Sequence, residues 1–239
     1  METFAKTDVG RKREINQDYI YLSDKKIGSF QNLYIVADGM GGHKAGDHAS
    51  KLCVESMVSF IKNTSIKTPV LIFEEALSYA NSKVYEASIT HENYRGMGTT
   101  AVAATFTEDT VYIANIGDSR LYRISGDISQ ITTDHSLVEE MVKQGDLTHS
   151  QARLHPQKNI ITRALGIEST IKADFFEIKY KKGDYFLLCT DGLSNMVEDY
   201  DISYTVKHAK SVKEAVESLV NKANENGGTD NISVMLIKA

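Results

Sequence analysis

The chain has 239 residues, 41% of them apolar, and its 32 acidic against 27 basic side chains give a formal charge of −5. That length allows one large domain or two small ones, and a folded chain of this size removes about 70–75% of its unfolded surface from water without needing staples. Mild acidity argues against non-specific nucleic-acid binding, which rests on basic patches, and no window reaches the ~18–20 apolar residues of a membrane span.

At the N-terminus, METFAKTDVGRKRE carries charges where a signal peptide needs its apolar stretch. Cys53 and Cys189 are the only cysteines, and both sit in apolar context, so they read as buried thiols. The expectation is a soluble protein of a reducing compartment, placed in the cytoplasm. There is no repeat, low-complexity tract or linker, and the only prolines are Pro69 and Pro156, so the whole of 1–239 is read as one domain.

In chain order, YIYL (19–22) and NLYIVA (32–37) are rich in β-branched and aromatic residues and read as strands. A helix is expected over 45–62, where Ala49, Leu52, Cys53, Met57, Phe60 and Ile61 recur near a 3.6-residue period. A second follows over 70–89, with Leu71, Phe73, Ala76, Leu77, Ala80 and Val84. Three strands come next, TAVAATF (100–106), TVYIANI (110–116) and LYRI (121–124), separated by Glu108-Asp109 and closed by Gly126-Asp127. Residues 133–168 give a mixed signal, with short helices near 136–144 and 148–153, and read as an insertion over the core.

Strand patterns resume at FFEIKY (175–180) and YFLLC (185–189), the second preceded by the turn Lys182-Gly183-Asp184. A helix over 211–226 opens with Ser211 three residues before Glu214, a capping-box pattern, and stops at Gly227-Gly228. ISVMLIK (232–238) is the last strand. Strands run in blocks between helix pairs instead of alternating with helices, which favours an α+β fold of antiparallel sheets covered by helices.

Chemistry concentrates where aspartates meet strands. NLYIVA runs into Asp38-Gly39, TVYIANI into Gly117-Asp118-Ser119, and YFLLCT into Asp191-Gly192; Asp230-Asn231 precedes the last strand and Gln17-Asp18 precedes YIYL. Any one of these is an ordinary turn. If the strands lie side by side, five such sites gather several carboxylates, and clustered anions repel unless protons or cations neutralise them. An all-oxygen cluster suits Mg²⁺ or Mn²⁺ and not zinc.

Nearby, Arg13 is either a solvated residue, as Arg11 and Lys12 read, or a planar fork for a phosphate. MGGH (40–43) lacks the Gly-Lys-Ser/Thr ending of a P-loop, and no G-x-S-x-G elbow or C-x-x-C pair occurs.

The ordered strings RKREINQDY (11–19), VADGMGGHKAG (36–46), GMGTTAVAA (96–104), NIGDSRLYR (115–123), TTDHSLVEEMV (132–142), ITRALG (161–166), LLCTDGLSNMV (187–197) and GGTDNISV (227–234) span nearly the whole chain. Their set and order resemble the PPM-type, or type 2C, metal-dependent serine/threonine protein phosphatases in their short bacterial form. The resemblance implies two antiparallel sheets sandwiched between pairs of antiparallel helices, a four-layer α-β-β-α arrangement, with a flap subdomain at about 145–165. It implies hydrolysis of phosphoserine and phosphothreonine in proteins at two Mn²⁺ or Mg²⁺ ions, with a third, weaker ion.

On the same resemblance Asp38 bridges two metals about 3.5–4 Å apart, as two-metal hydrolases do. Asp191 and Asp230 complete one ion, the Gly39 carbonyl serves the other, and Asp18 holds waters on the metals. Asp118 belongs to the weaker third ion, Arg13 binds the phosphate, and Asn231 orients the neighbouring carboxylate or a water. His43 is the implied general acid; Met40, Gly41 and Gly42 separate it from Asp-Gly, whereas in eukaryotic members the histidine follows directly, and a water on the metal is the alternative donor. Gln17 stands where the eukaryotic pattern has glutamate, and the remaining histidines, His135 among them, read as surface or packing residues.

Implied partners are phosphorylated proteins and a cognate, membrane-anchored serine/threonine kinase, with the enzyme a monomer that binds no nucleic acid. One alternative is an inactive family member serving as a phosphoprotein-binding module, although Asp38, Asp191 and Asp230 are all present. Another, a phosphatase with a covalent aspartyl nucleophile, wants a second aspartate two residues on, where this chain has Met40 and Leu193.

Overall fold

Successive residues of a strand point to opposite faces, and in this chain the two faces enter different cores. The computed structural model describes residues 1–42 and 45–239. In strand β3 (Leu33–Met40), Leu33, Ile35 and Ala37 pack under helices, whereas Tyr34 and Val36 face a second sheet. The same alternation divides β10 (Tyr185–Cys189): Leu187 and Cys189 turn to helices, Phe186 and Leu188 to the other sheet. A strand buried on both faces reads as a continuous apolar run, which is why NLYIVA and YFLLC carry no polar alternation.

The remaining elements, in order, are β1 (Glu2–Asp8), β2 (Asp18–Ser23), α1 (Ala45–Asn63), α2 (Pro69–Thr90), β4 (Gly98–Thr99), β5 (Ala101–Phe106), β6 (Thr110–Ile116), β7 (Arg120–Ser125), β8 (Asp127–Gln130), α3 (Leu137–Gln144), α4 (His149–Leu154), β9 (Asp174–Lys179), α5 (Asp191–Ser194), α6 (Asp199–His208), α7 (Val212–Glu225) and β11 (Ile232–Lys238). One antiparallel sheet has the order β1-β11-β10-β7-β8; the other runs β2-β3-β5-β6-β9, with β4 on β3. Helices α1 and α2 cover the second sheet, α6 and α7 the first, and Tyr34, Val102, Phe106, Phe186, Leu188 and Met235 fill the space between the sheets. Four layers result, as expected for the α+β reading.

Several boundaries differ from the sequence expectation. Strand β1 escapes notice because ETFAKTD is only half-buried along an edge and carries three charges; β8 is a four-residue edge strand. Helix α6 is missed because DYDISYTVKH mixes β-branched and aromatic residues, yet Ile202 and Val206 recur at i and i+4 and are buried. At α7 the Ser211 hydroxyl accepts from the Glu214 N–H at 3.1 Å, but the Glu214 carboxylate reaches the Lys210 N–H instead of closing the box on Ser211. Both cysteines are free and buried.

The inter-sheet layer holds β3 against β10 and β11, and so sets where their ends meet. Phe186 is fully buried there, edge-on to Phe106 at 5.0 Å between ring centroids. Phe186→Ala should cost about 3–5 kcal/mol of unfolding free energy, measured by denaturant titration; a loss below about 1 kcal/mol would show that this layer does not fix the sheets.

Candidate active site

Asp18 and Asp38 stand directly opposite each other in the antiparallel register of β2 and β3. Like charges at opposed sheet positions destabilise the pair, so this register has no structural reason to carry two carboxylates. Both lie within regular strand, not past its end: Asp18 is the first residue of β2, and β3 continues through Asp38 and Gly39 to Met40 by pairing with β4. Asp191 is the first residue of α5, immediately after β10, and Asp230 immediately precedes the segment leading into β11. Asp118 sits in the turn between β6 and β7, on which Gly117 takes φ +103°.

The backbone permits this gathering through unusually close packing. A Cβ on Gly39 would lie 1.9 Å from the Gly46 carbonyl oxygen, so only glycine lets the start of α1 rest on this turn of β3. The Asp38 N–H donates to Thr100 Oγ1 at 3.0 Å, and Thr100 shares a 2.7 Å hydrogen bond with the Ser119 hydroxyl. Thr190 Oγ1 donates to Asp18 Oδ2 at 2.9 Å, and Asn195 Nδ2 donates to Asp191 Oδ2 at 2.9 Å. Thr190 and Asn195 thus aim carboxylates without neutralising them, and Thr100 holds the Asp38 backbone.

The electrostatics follow. Burial pushes the Asp18 carboxyl up to about 7, with added repulsion from Asp191 and Asp230. Asp38 is raised well above the usual carboxylate range by burial and then by Asp18, Asp191, Asp118 and Asp230. Burial and Asp191 raise Asp118, and burial and Asp230 lift Asp191 to about 6. Among the described residues, the buried oxygens Asp18 Oδ1 and Asp191 Oδ1 find no hydrogen-bond partner.

Orphaned anionic oxygens in a site of repelling carboxylates fit hard divalent cations. Among the described residues, no three His, Cys, Asp or Glu side chains form a ready-made cage. A donor set with few protein ligands suits an ion that keeps several of its waters.

Arg13 is exposed, yet its Nη2 donates to Asp230 Oδ2 at 2.8 Å, which places its fork at the rim of the carboxylates. Arg11 and Lys12 are also exposed. The Asn231 side chain does not reach a neighbouring carboxylate. It accepts from the Gln17 N–H at 2.8 Å and donates to the Val9 and Ile15 carbonyls, and so ties down the β1–β2 loop that carries Arg13; its backbone N–H is what meets Asp230 Oδ1, at 2.9 Å. His43 lies outside the described residues.

A family model described as protein phosphatase 2C matches residues 9–236. The chain belongs to the protein phosphatase 2C family. It is 41% identical to protein phosphatase PhpP of Streptococcus pneumoniae, over 99% of this chain and 97% of that one. The solved structure of serine/threonine phosphatase Stp1 from Staphylococcus aureus superposes with a TM-score of 0.94 at 33% identity, covering 100% of this chain and 94% of that chain. The catalytic domain of the serine/threonine protein phosphatase PstP, solved in complex with two manganese ions, gives 0.87 at 30% identity, covering 98% and 96%.

Within this phosphatase 2C fold, a groove of about 880 Å³ opens beside the carboxylates, lined by Asp118, Asp191 and Asn195 on the core side and by His149 and Lys158 from the 145–165 segment. Arg153 of α4 ties that segment to the core, donating Nη1 to the Ser194 carbonyl at 2.6 Å and pairing with Glu198 at 2.8 Å. Sequence reasoning gave no role to Thr100, Thr190 or His135. Thr100 and Thr190 lie in the recognised strings GMGTT and LLCTDG, next to a cluster aspartate in space or in sequence.

The repulsion among these groups has a measurable sign. A carboxyl whose folded pKa is raised binds protons more readily in the native state, so its contribution lowers stability as pH climbs from the ordinary range near 4 through the folded values of about 6 for Asp191 and about 7 for Asp18. In chelator at pH 7, Asp38→Asn should therefore stabilise by on the order of 1 kcal/mol, about 2–4 °C in Tm. The gain should shrink toward pH 4. A variant that melts no higher than the unaltered protein at pH 7 contradicts the repulsive reading.

Proposed function

We propose that the protein hydrolyses phosphoserine and phosphothreonine esters in proteins at a binuclear Mn²⁺ or Mg²⁺ centre. The observation that carries this reading is the convergence of Asp18, Asp38, Asp118, Asp191 and Asp230, from five separate stretches of chain, around buried oxygens without a hydrogen-bond partner among the described residues. Membership of the phosphatase family supports it, as does the two-manganese PstP relative.

Asp38, Asp191 and Asp230 would hold the two ions together with the Gly39 carbonyl, Asp18 would orient waters on them, and Asp118 would serve a third, weaker ion. When bound, such cations supply Lewis acidity at phosphoryl oxygens and lower the pKa of water toward neutrality, so that no side-chain base is required.

Arg13 would bind the phosphate. Its present bond to Asp230 is an exposed ion pair, a class usually worth about 0–1 kcal/mol, so its planar fork can turn to a dianionic ester at little cost. Equatorial phosphoryl oxygens that gain charge during in-line attack would then meet its paired N–H donors. The departing alkoxide needs a proton, for which His43 remains the assigned donor on sequence grounds alone.

The 145–165 segment is read as a flap whose groove-lining side chains meet the substrate protein. No helix among the described residues is long and apolar enough to cross a membrane. On the family resemblance we extend the reading to a monomeric, cytoplasmic enzyme that reverses the products of a cognate serine/threonine kinase.

Purified protein should cleave p-nitrophenyl phosphate and phosphothreonine peptides with Mn²⁺ and stop in EDTA. Asp38→Ala and Asp191→Ala should each reduce the rate by orders of magnitude with the fold retained. Turnover that survives both substitutions rules out the two-ion mechanism. Arg13→Ala should lower kcat/KM about 10–100-fold, the worth of a charge-assisted hydrogen bond. For the flap, His149→Ala should slow phosphoprotein turnover more than that of p-nitrophenyl phosphate; equal losses on both substrates count against a substrate contact.

A further inference from the structure

His135 is 3% exposed and belongs to none of the groups assigned above. It lies just ahead of α3, and it grips one residue twice. Its backbone N–H donates to the Gly117 carbonyl at 3.0 Å, and its ring Nδ1 faces the Gly117 N–H at 3.1 Å. Gly117 directly precedes Asp118, and its φ of +103° is a conformation that side chains disfavour. Both polar backbone groups of this turn residue are therefore held by one histidine, with Asn115 Nδ2 adding a long 3.4 Å contact to the same carbonyl.

The partners fix the state of the ring. A backbone N–H can only donate, so Nδ1 must be the unprotonated nitrogen and Nε2 must carry the proton. Nε2 lies 3.1 Å from Asp174 Oδ2, the acceptor this tautomer requires. Arg163 Nη1 stands 3.3 Å from Nε2 and 3.3 Å from Asp174 Oδ1; since Nε2 is occupied by its own proton, the guanidinium serves the carboxylate. Burial, the largest influence on the ring, holds the imidazole below its usual pKa and keeps it neutral. Asp174 is itself pinned at the start of β9, opposite Asn115 in the register with β6. A chain of contacts runs from Asp174 through the imidazole to the amide that sets the direction of the Asp118 turn.

We propose that His135 is a positioning residue that, oriented by Asp174, holds the Gly117-Asp118 turn and so sets the affinity of the third, weaker divalent cation. The inference rests on the role given to Asp118 under the proposed function. It concerns an outer partner of a ligand-bearing turn, of the kind whose loss typically weakens a metal site about 10–100-fold.

Two amide variants separate this role from mere packing. His135→Asn places a carbonyl oxygen near the position of Nδ1 and keeps an acceptor for the Gly117 N–H. His135→Gln reaches toward Nε2 and leaves that N–H unmet. Mn²⁺ titration calorimetry on the full chain should show the weaker ion nearly unchanged in His135→Asn and bound about 10–100-fold more weakly in His135→Gln, with the tighter ions unaffected in both. Should His135→Gln fail to fold, Asp174→Asn provides the same test from the half-exposed end of the network. Its amide can donate to Nε2, drive the proton to Nδ1 and expel the Gly117 N–H. Ring ¹⁵N spectra should place the proton on Nε2 in the unaltered protein and on Nδ1 in Asp174→Asn, with the weaker ion lost alongside.

Equal effects of the two amides, weakening of all ions together, or a displaced tautomer with the weaker ion intact would each overturn the proposal. So would tight Mn²⁺ binding in the unaltered protein with no weaker ion. Failure of the unaltered protein to bind any Mn²⁺ or to cleave p-nitrophenyl phosphate would instead bring down the phosphatase reading and this inference with it.

Discussion

Two carboxylates held opposite each other across a β-ladder are the constraint around which the rest of this molecule is arranged. Asp18 and Asp38 are set opposite each other by backbone register, so their backbones cannot part without unpairing β2 from β3. Asp191 is brought up to them by the first sheet, at the end of β10, and Asp118 by the β6–β7 turn, and both raise the cost of ionising Asp38. Surfaces are free to dilute such charge; a strand register is not. The energy that holds the cluster together comes from elsewhere, from three apolar layers in which Tyr34, Phe73 and Phe186 are fully buried. Stability is in this sense located away from the site, and the site is the place where it is lost.

The groups that touch the cluster are chosen to aim and not to neutralise. Thr190 and Asn195 donate a hydroxyl and an amide to carboxylate oxygens, Thr100 accepts from the Asp38 backbone N–H, and the remaining Asp18 and Asp191 oxygens have no partner among the described residues. Among the described residues, the only ion pair made by any of the five aspartates is the exposed one between Arg13 and Asp230. A half-buried arginine is available nearby, but Arg120 is committed to Asp134 through its Nε and Nη2 and to Tyr122 through Nη1. A fold that compensated its own carboxylates would have no affinity left for cations. Leaving them uncompensated couples occupancy of the site to the stability of the whole.

Much of this was legible in the chain. Apolar runs of strand length mark the two doubly buried sheets, because a strand covered on both faces has no polar alternation to confuse the pattern. The periodicity of 45–62 and 70–89 locates α1 and α2 to within a residue or so. What escaped was weakly patterned. The edge strands β1 and β8 are half-exposed, and α6 is built from residues of poor helix propensity whose two buried apolar positions, Ile202 and Val206, suffice once α7 is beside them. At the site, the aspartates stood out because acidic residues interrupt apolar strands. His135 did not, because a histidine in a loop has no sequence mark of burial, and its partners Gly117 and Asp174 lie 18 and 39 positions away.

The sequence by itself determined the chemistry on offer: five aspartates at strand ends, an arginine near one of them, glycines where chains must approach closely, and an ordered set of strings that fixes the family. Those features are local, set by residue type and by the neighbours along the chain. Tertiary structure alone decided which groups oppose one another. Register puts Asp18 across from Asp38, inter-sheet packing brings Asp191 to them, Asn231 serves the β1–β2 loop and not a carboxylate, and His135 reaches the turn under Asp118. The net charge of −5 measures composition. Its concentration at one end of two sheets is a product of hydrogen-bond register and of the packing between the sheets, and neither can be read from a chain one residue at a time.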